Sequence, residues 1–355
     1  MFLGTVIKTK IDFDTARIEN TFDKKMKNRA YIAATGSYLP EYILTNTEIA
    51  GIVDTSDEWI TERCGVKERR ILRDNDKATA FMAKEAALNV LTKSKCDVNS
   101  IEVVIVATAT PDHLFPSTSA IVADMLGIKN AWCFDVMAAC SGFLFALNTA
   151  SKLIESGAYE NILVIGSDKM SAIMDFTNRN TCVLFGDGAG AVLLKSTNSG
   201  CGILNSVLKT DGSGYRNLYQ KAGGSLFPAS AETVANKEHS ITMTGQTVFK
   251  SAVSGMAESC TQLLSNVSVD KKDVNYLVPH QANIRIINSI IDFLEIDKSK
   301  VAININKYGN TTCASIPICL DEWSHKFKTG DNIVISAFGA GYSWGSMLLK
   351  WYNPG

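Results

Sequence analysis

A chain of 355 residues, 46 % of them hydrophobic, has material for large apolar cores and for two domains or two similar halves. A formal net charge of -1 at pH 7 with no block of basic residues argues against a nucleic-acid or membrane-surface partner. No apolar run reaches the roughly 20 residues that cross a bilayer, and nine cysteines, odd in number and without a CxxC pair, fit a reducing, cytoplasmic setting better than disulfides or a zinc site.

The first 25 or so residues mix acids and bases without a period where a signal peptide needs an apolar core. Residues 1–27 therefore read as an N-terminal extension, and "MKNRAYIAATGSYLP", opening at Met26, looks like a domain start. Next, "KATAFMAKEAALNVLTK" has helical spacing, while Val103 to Thr108, Ile162 to Gly166 and Val183 to Phe185 read as strands. This alternation predicts an α/β fold.

Within that series lies "DVMAACSGFLFAL", residues 135 to 147. Phe143, Leu144, Phe145, Ala146, Leu147, Leu153 and Ile154 leave no polar stripe, so the helix after Cys140 is expected to be buried all round, in the middle of the protein. Cys140 would head that helix, where unpaired N–H groups and the helix dipole favour thiolate over thiol. It is the candidate nucleophile, and its backbone N–H is placed to help hold an oxyanion.

"FGDGAGAVLLK" at Phe185 to Lys195 is echoed by "FGAGYSWGSMLLK" at Phe338 to Lys350, and the echo extends upstream. Two tandem halves follow, 28–200 and 201–355, each running strand, functional loop, buried helix, glycine hairpin. "GDGAG" lacks the full GxGxxG pattern and no P-loop lysine follows it, so it reads as a tight glycine turn rather than a nucleotide loop.

Among four histidines, His280 ends the strand-like "NYLVPH" and precedes "QANIRIINSIIDFL", whose Ile284, Ile287, Ile291 and Leu294 mark one helical face. Open α/β sheets place functional groups at such strand ends. His239 and His325 lie in polar surroundings and read as surface residues. Asn310 stands in a glycine-bearing loop before an apolar helix, taken as the counterpart of the position Cys140 holds. Alone it reads equally as a cap or loop residue, but symmetry of the halves would bring Cys140, His280 and Asn310 to one spot. No further ligand pair supports a metal at Cys140 and His280.

In order, "VDTSDEWITERCGVKERR", "ACSGF", "FGDGAGA", "MTGQTVFK", "VPHQANIRII", "GNTTCASIP" and "FGAGYSWG" resemble the β-ketoacyl-acyl carrier protein synthase III family of the thiolase superfamily, over about residues 28 to 355. The resemblance implies a thiolase-like five-layered αβαβα fold made of two duplicated halves, a homodimer, and a decarboxylating Claisen condensation with no cofactor. An acyl group would pass from a short acyl-CoA to Cys140. His280 and Asn310 would then donate to the malonyl thioester oxygen of malonyl-acyl carrier protein, and the resulting enolate would attack the acyl-cysteine.

The same resemblance implies an oxyanion site from the backbone N–H groups of Cys140 and Ala340, the latter commonly glycine in the family. Trp59 would stack on the CoA adenine with Arg179, while Thr55, Arg63 and Arg285 approach the other polar parts. Gly245, Phe249 and Asn283 would line the pantetheine tunnel, and Phe115 would enter the partner's acyl pocket. Lys250 and Arg285 are basic candidates for docking the acidic carrier protein. Two further readings stay open at this point: a specialised relative in secondary metabolism, and a non-catalytic acyl-CoA-binding module.

Overall fold

The protein is described by a computed structural model over residues 28–354; the N-terminal extension, 1–27, lies outside the described residues. In chain order the principal elements of the first part are β1 (Arg29–Tyr38), α1 (Asp57–Cys64), α2 (Thr79–Ser94), β2 (Val103–Ala107), α3 (Thr118–Leu126), β3 (Trp132–Val136), α4 (Gly142–Glu155), β4 (Asn161–Asp168) and β5 (Gly188–Thr197). The second part contributes β6 (Gly202–Thr210), α5 (Gly245–Val267), β7 (Tyr276–Pro279), α6 (Ile284–Leu294), α7 (Ser315–Trp323), β8 (Asn332–Gly339) and β9 (Ser343–Lys350).

Two sheets with one topology result. The first has the order β1-β5-β4-β2-β3 and the second β7-β8-β9-β6, which read from its other edge repeats the first four strands. Strand directions repeat as well, since β4 with β2 and β8 with β7 are parallel, whereas β5 and β9 run antiparallel to their neighbours. The fifth strand of the second sheet is reduced to one parallel bridge, Leu277 to Val301.

Helices α4 and α7 lie between the sheets, α2 and α3 cover the outer face of the first, and α5 with α6 covers the second. This is the five-layered, duplicated αβαβα arrangement. The middle layer is apolar on both sides: Phe143, Leu144, Leu147 and Ile154 of α4 meet Ile316, Cys319 and Leu320 of α7 in one buried cluster. Each large side chain in it contributes on the order of 1.5–3 kcal/mol. Burial of α4 is incomplete, however, because Thr149 and Lys152 are exposed on one stripe near its C-terminal end.

Two local expectations are corrected. Val183 to Phe185 is no strand: it leaves a short helix, Arg179–Cys182, and only Phe185 bridges, to Asn310. "GDGAG" is no tight turn either, since Gly188 to Gly190 already belong to β5. The glycine at 190 is needed for close packing, as a Cβ there would sit 2.7 Å from the backbone nitrogen of Ile318 in α7. The second glycine segment does form the hairpin between β8 and β9.

Candidate active site

The two glycine-rich turns that precede the central helices are built alike. Ala139 and Thr312 each take the left-handed conformation, φ 44° and 47°, and each opens a 3-10 turn that leads into α4 or α7. A cysteine follows each, so the counterpart of Cys140 is Cys313, not Asn310 as the sequence suggested. Asn310 precedes its turn by two residues and holds it, accepting from the Thr312 N–H at 2.9 Å. The left-handed residues carry a strain of about 1–3 kcal/mol each that the packed turns must offset.

These turns meet at the bottom of a cavity of about 1380 Å³ whose lining includes Cys140, His280, Asn310, Phe338 and Ala340. Cys140, His280 and Asn310 are all buried. Toward the mouth the lining passes Gly245, Phe249, Asn283, Arg285, Trp59 and Arg63. Its volume exceeds the range usual for a compact ligand, and its lining runs to the Cys140 thiol.

Electrostatics at the bottom differ from the expectation for Cys140. Burial pushes its thiol up to about 12, and the Asp168 carboxylate adds to the rise. The thiol lies in the 3-10 turn that runs directly into α4, whose cap is Ser141, and desolvation there is the largest cause of the rise. Burial also lowers His280 to about 3, so this imidazole is neutral at every ordinary pH.

The neutral ring is oriented from behind. Nδ1 of His280 lies 2.7 Å from Oγ of Ser315 at the start of α7, and Nε2, equally shielded, has no protein partner. Asn310 is similarly committed through its oxygen, which leaves its Nδ2 hydrogens as donors. With its proton on Nε2, the neutral imidazole can act beside the neutral amide as a second donor toward a developing negative charge, neither carrying a full charge of its own. At the neighbouring hairpin, a Cβ on Gly339 would sit 2.8 Å from the Cys140 backbone nitrogen. Only glycine lets β8 approach the cysteine turn this closely. Ala340, next along, is not among the residues in the left-handed region, so an alanine fits there without strain.

Near the mouth, the Arg179 and Arg63 guanidiniums lie 4.1 and 5.7 Å from the Trp59 ring centre, and Arg285 lies 5.1 Å from that of Phe249. Gly245 opens α5 and leaves space, since a Cβ there would meet only Met243 Cε at 3.8 Å. Asn283 is partly occupied: its oxygen caps α6 through the Arg285 N–H at 2.8 Å, and Nδ2 donates to the Arg63 carbonyl at 3.1 Å. One amide hydrogen remains.

Four expected residues do not line this cavity. Arg179 reaches it only through Trp59, and Thr55 keeps its hydroxyl oxygen shielded and unpartnered. Lys250 is exposed on α5. Phe115 projects away at 87 % exposure, with Leu114 beside it on the cavity wall. Conversely, Asp168, Ser315 and Phe338 were not singled out by sequence. Phe338 and Ser315 lie in the quoted motifs "FGAGYSWG" and "GNTTCASIP" and were within reach of that reasoning; Asp168 carried no local signal.

Residues 134–212 match the family described as 3-oxoacyl-[acyl-carrier-protein] synthase III, and residues 264–351 match its C-terminal part. A β-ketoacyl-[acyl-carrier-protein] synthase III of Chlorobium phaeobacteroides is 50 % identical over 327 residues, covering 91 % of this chain and 99 % of that protein. A β-ketoacyl-[acyl-carrier-protein] synthase III 2 of Bacteroides thetaiotaomicron is 46 % identical over 329 residues, 93 % of this chain and 98 % of the relative. The crystal structure of 3-oxoacyl-[acyl-carrier-protein] synthase III from Aquifex aeolicus superposes with a TM-score of 0.84 at 42 % identity, covering 91 % of this chain and all of that one.

Proposed function

The chain belongs to the 3-oxoacyl-[acyl-carrier-protein] synthase III family, and on that premise we propose how its residues divide the reaction. The enzyme is an acyltransferase that condenses an acyl-CoA with malonyl-acyl carrier protein, releasing carbon dioxide and starting fatty-acid synthesis. In the first half-reaction the Cys140 sulfur attacks the thioester carbonyl. The C–S bond to CoA breaks, and the thiol proton leaves with the CoA sulfur. Backbone N–H groups of Cys140 and Ala340 hold the oxyanion.

In the second half-reaction the malonyl thioester oxygen accepts from Nε2 of His280 and Nδ2 of Asn310. The C–C bond to the carboxylate breaks, carbon dioxide departs, and the enolate carbon attacks the acyl-cysteine carbonyl. The Cys140 sulfur leaves as thiolate and takes a proton from solvent, giving a β-ketoacyl-carrier protein. The observation that carries this division is the pairing of two neutral donors, each with its other polar atom engaged or facing a fixed hydroxyl, across a cavity from one thiol. No step calls for a cofactor, because acyl-CoA and malonyl-acyl carrier protein are both substrates.

Trp59 with Arg179 serves the adenine end of CoA, Arg63 and Arg285 its phosphates, and Gly245, Phe249 and Asn283 the pantetheine. Thr55 joins them only if its shielded hydroxyl turns outward. Lys250 and Arg285 receive the acidic carrier protein. The working form is a homodimer: β3 is an edge strand, and Trp132 (43 % exposed), Met137 (72 %) and Phe115 lie exposed near it. A second copy would cover them and receive Phe115 at the end of its acyl pocket, which favours a short starter. Nine unpaired cysteines support a cytoplasmic setting, and among the described residues no helix is long and apolar enough to cross a membrane.

Intact-protein mass spectrometry with peptide mapping tests this. Incubation with a panel of acyl-CoAs should place a short acyl group on Cys140, and malonyl-acyl carrier protein should discharge it as the β-keto product. Cys140→Ser should abolish acylation, whereas His280→Ala should be acylated but fail to condense. Loss of both partial reactions in His280→Ala would refute the division. Discharge only to another acceptor would point to a specialised condensing enzyme.

A further inference from the structure

Asp168 is fully buried at the end of β4 and receives six hydrogen bonds. Its Oδ1 accepts from Thr108 Oγ1 at 3.1 Å, the Ala109 N–H at 2.7 Å, the Thr110 N–H at 3.1 Å and Thr110 Oγ1 at 2.9 Å. Oδ2 accepts from the Thr312 hydroxyl and from the Cys313 N–H at 3.0 Å. One carboxylate thus joins the loop after β2, which lines the cavity at Ala109 and Thr110, to the turn of the other half of the chain.

The internal duplication makes this placement informative. Asp168 pairs with the first residue of β5, as Gly339 pairs with the first residue of β9, so the two occupy equivalent strand ends. At Gly339 the bare backbone touches the Cys140 turn. At Asp168 a carboxylate grips the Thr312–Cys313 turn instead. From there two links reach the reacting groups: the Thr312 N–H holds the Asn310 oxygen, and Cys313 Sγ donates to the Ala139 carbonyl at 2.8 Å, beside Cys140.

We propose that Asp168 is a positioning residue for the decarboxylation half-reaction, setting the Asn310 amide through the Thr312–Cys313 turn. The proposal rests on the assignment of Asn310 as donor to the malonyl thioester. Thr312 is in the left-handed region, which a non-glycine residue enters at a cost, and a carboxylate that accepts from both its hydroxyl and the next N–H holds it there. The carboxylate has a second, opposing consequence, because its charge helps hold the Cys140 sulfur in the thiol form.

Thr312→Val removes one of Asp168's links while keeping the β-branched shape, and Thr312→Ser keeps the hydroxyl. Carbon dioxide release from malonyl-acyl carrier protein should fall about 10-fold or more in kcat in Thr312→Val with KM little changed, and recover in Thr312→Ser. Acylation of Cys140 should hold within about 3-fold in both. In Asp168→Asn, carbon dioxide release should fall similarly while Cys140 reacts several-fold faster with iodoacetamide at pH 8, since the charge opposing ionisation is gone. Equal loss of acylation and decarboxylation, or unchanged decarboxylation in Thr312→Val, would overturn the proposal. If Asp168→Asn does not fold, the Thr312 pair still decides. Failure of the donor assignment itself would show separately, as Asn310→Ala retaining wild-type carbon dioxide release.

Discussion

Nδ1 of His280 lies 2.7 Å from the hydroxyl of Ser315, and that hydroxyl also receives the Gln281 N–H at 3.4 Å. In the tautomer that the proposed decarboxylation requires, Ser315 donates its proton to Nδ1 while its oxygen accepts from Gln281, and the ring proton sits on Nε2. The cavity therefore meets a donor, not an acceptor. Ser315→Ala should release the tautomer. Carbon dioxide formation is expected to fall about 5- to 10-fold, the equivalent of roughly 1 kcal/mol for one hydrogen bond, with acylation of Cys140 unchanged. Radiolabelled acyl transfer and carbon dioxide capture read the two steps separately, and wild-type rates in both would remove Ser315 from the mechanism.

Burial of His280 makes the fold sensitive to acid. Its folded value of about 3 lies below the ordinary 6.5, so the unfolded chain binds a proton that the folded chain refuses as the pH drops through 6.5. Stability from this group is complete above pH 6.5 and falls progressively toward pH 3, by up to roughly 1.4 kcal/mol per pH unit. His280→Ala lacks the group. Urea melts between pH 6.5 and 4.5 should show a shallower loss of stability in the variant than in the wild type; parallel slopes would mean that the ring is protonated in the folded protein.

Much of this site was legible because the proposed reacting groups sit in contiguous motifs, and the repeated "FG" segments announced the duplication. What escaped the sequence was mostly relational. Asp168 lies 144 and 145 residues from the turn it holds, and Ser315 lies 35 residues from His280. Neither pairing has a local period or spacing to betray it. The burial that raises the Cys140 thiol escaped for a related reason. A helix start can be read from residue types, but the 3-10 turn that places Cys140 just before it, and the desolvation of the thiol there, belong to tertiary packing. Val183 to Phe185 shows the same limit, its apolar run serving a packed turn after a short helix rather than a strand.

Two glycines beside the cavity should respond in opposite ways to an added methyl group. At Gly339 a Cβ would lie 2.8 and 2.9 Å from the backbone nitrogens of Cys140 and Ser141 and 3.1 Å from the Ala138 carbonyl oxygen. All three are main-chain atoms, so nothing flexible can yield and the cysteine turn must move away from Ala340. Gly339→Ala is expected to cost about 1–3 kcal/mol of stability and to lower the acylation rate by about 10-fold or more, with KM for acyl-CoA little altered. At Gly245 the only neighbour of an added Cβ is the mobile end of Met243, 3.8 Å away. Gly245→Ala should melt like the wild type, and because the vacant space is where pantetheine would run, its effect should fall on KM rather than on kcat. Pre-steady-state acylation with thermal melts on both variants checks the contrast. Wild-type acylation in Gly339→Ala would show that the close approach of β8 to Cys140 is structural and does not set the oxyanion geometry.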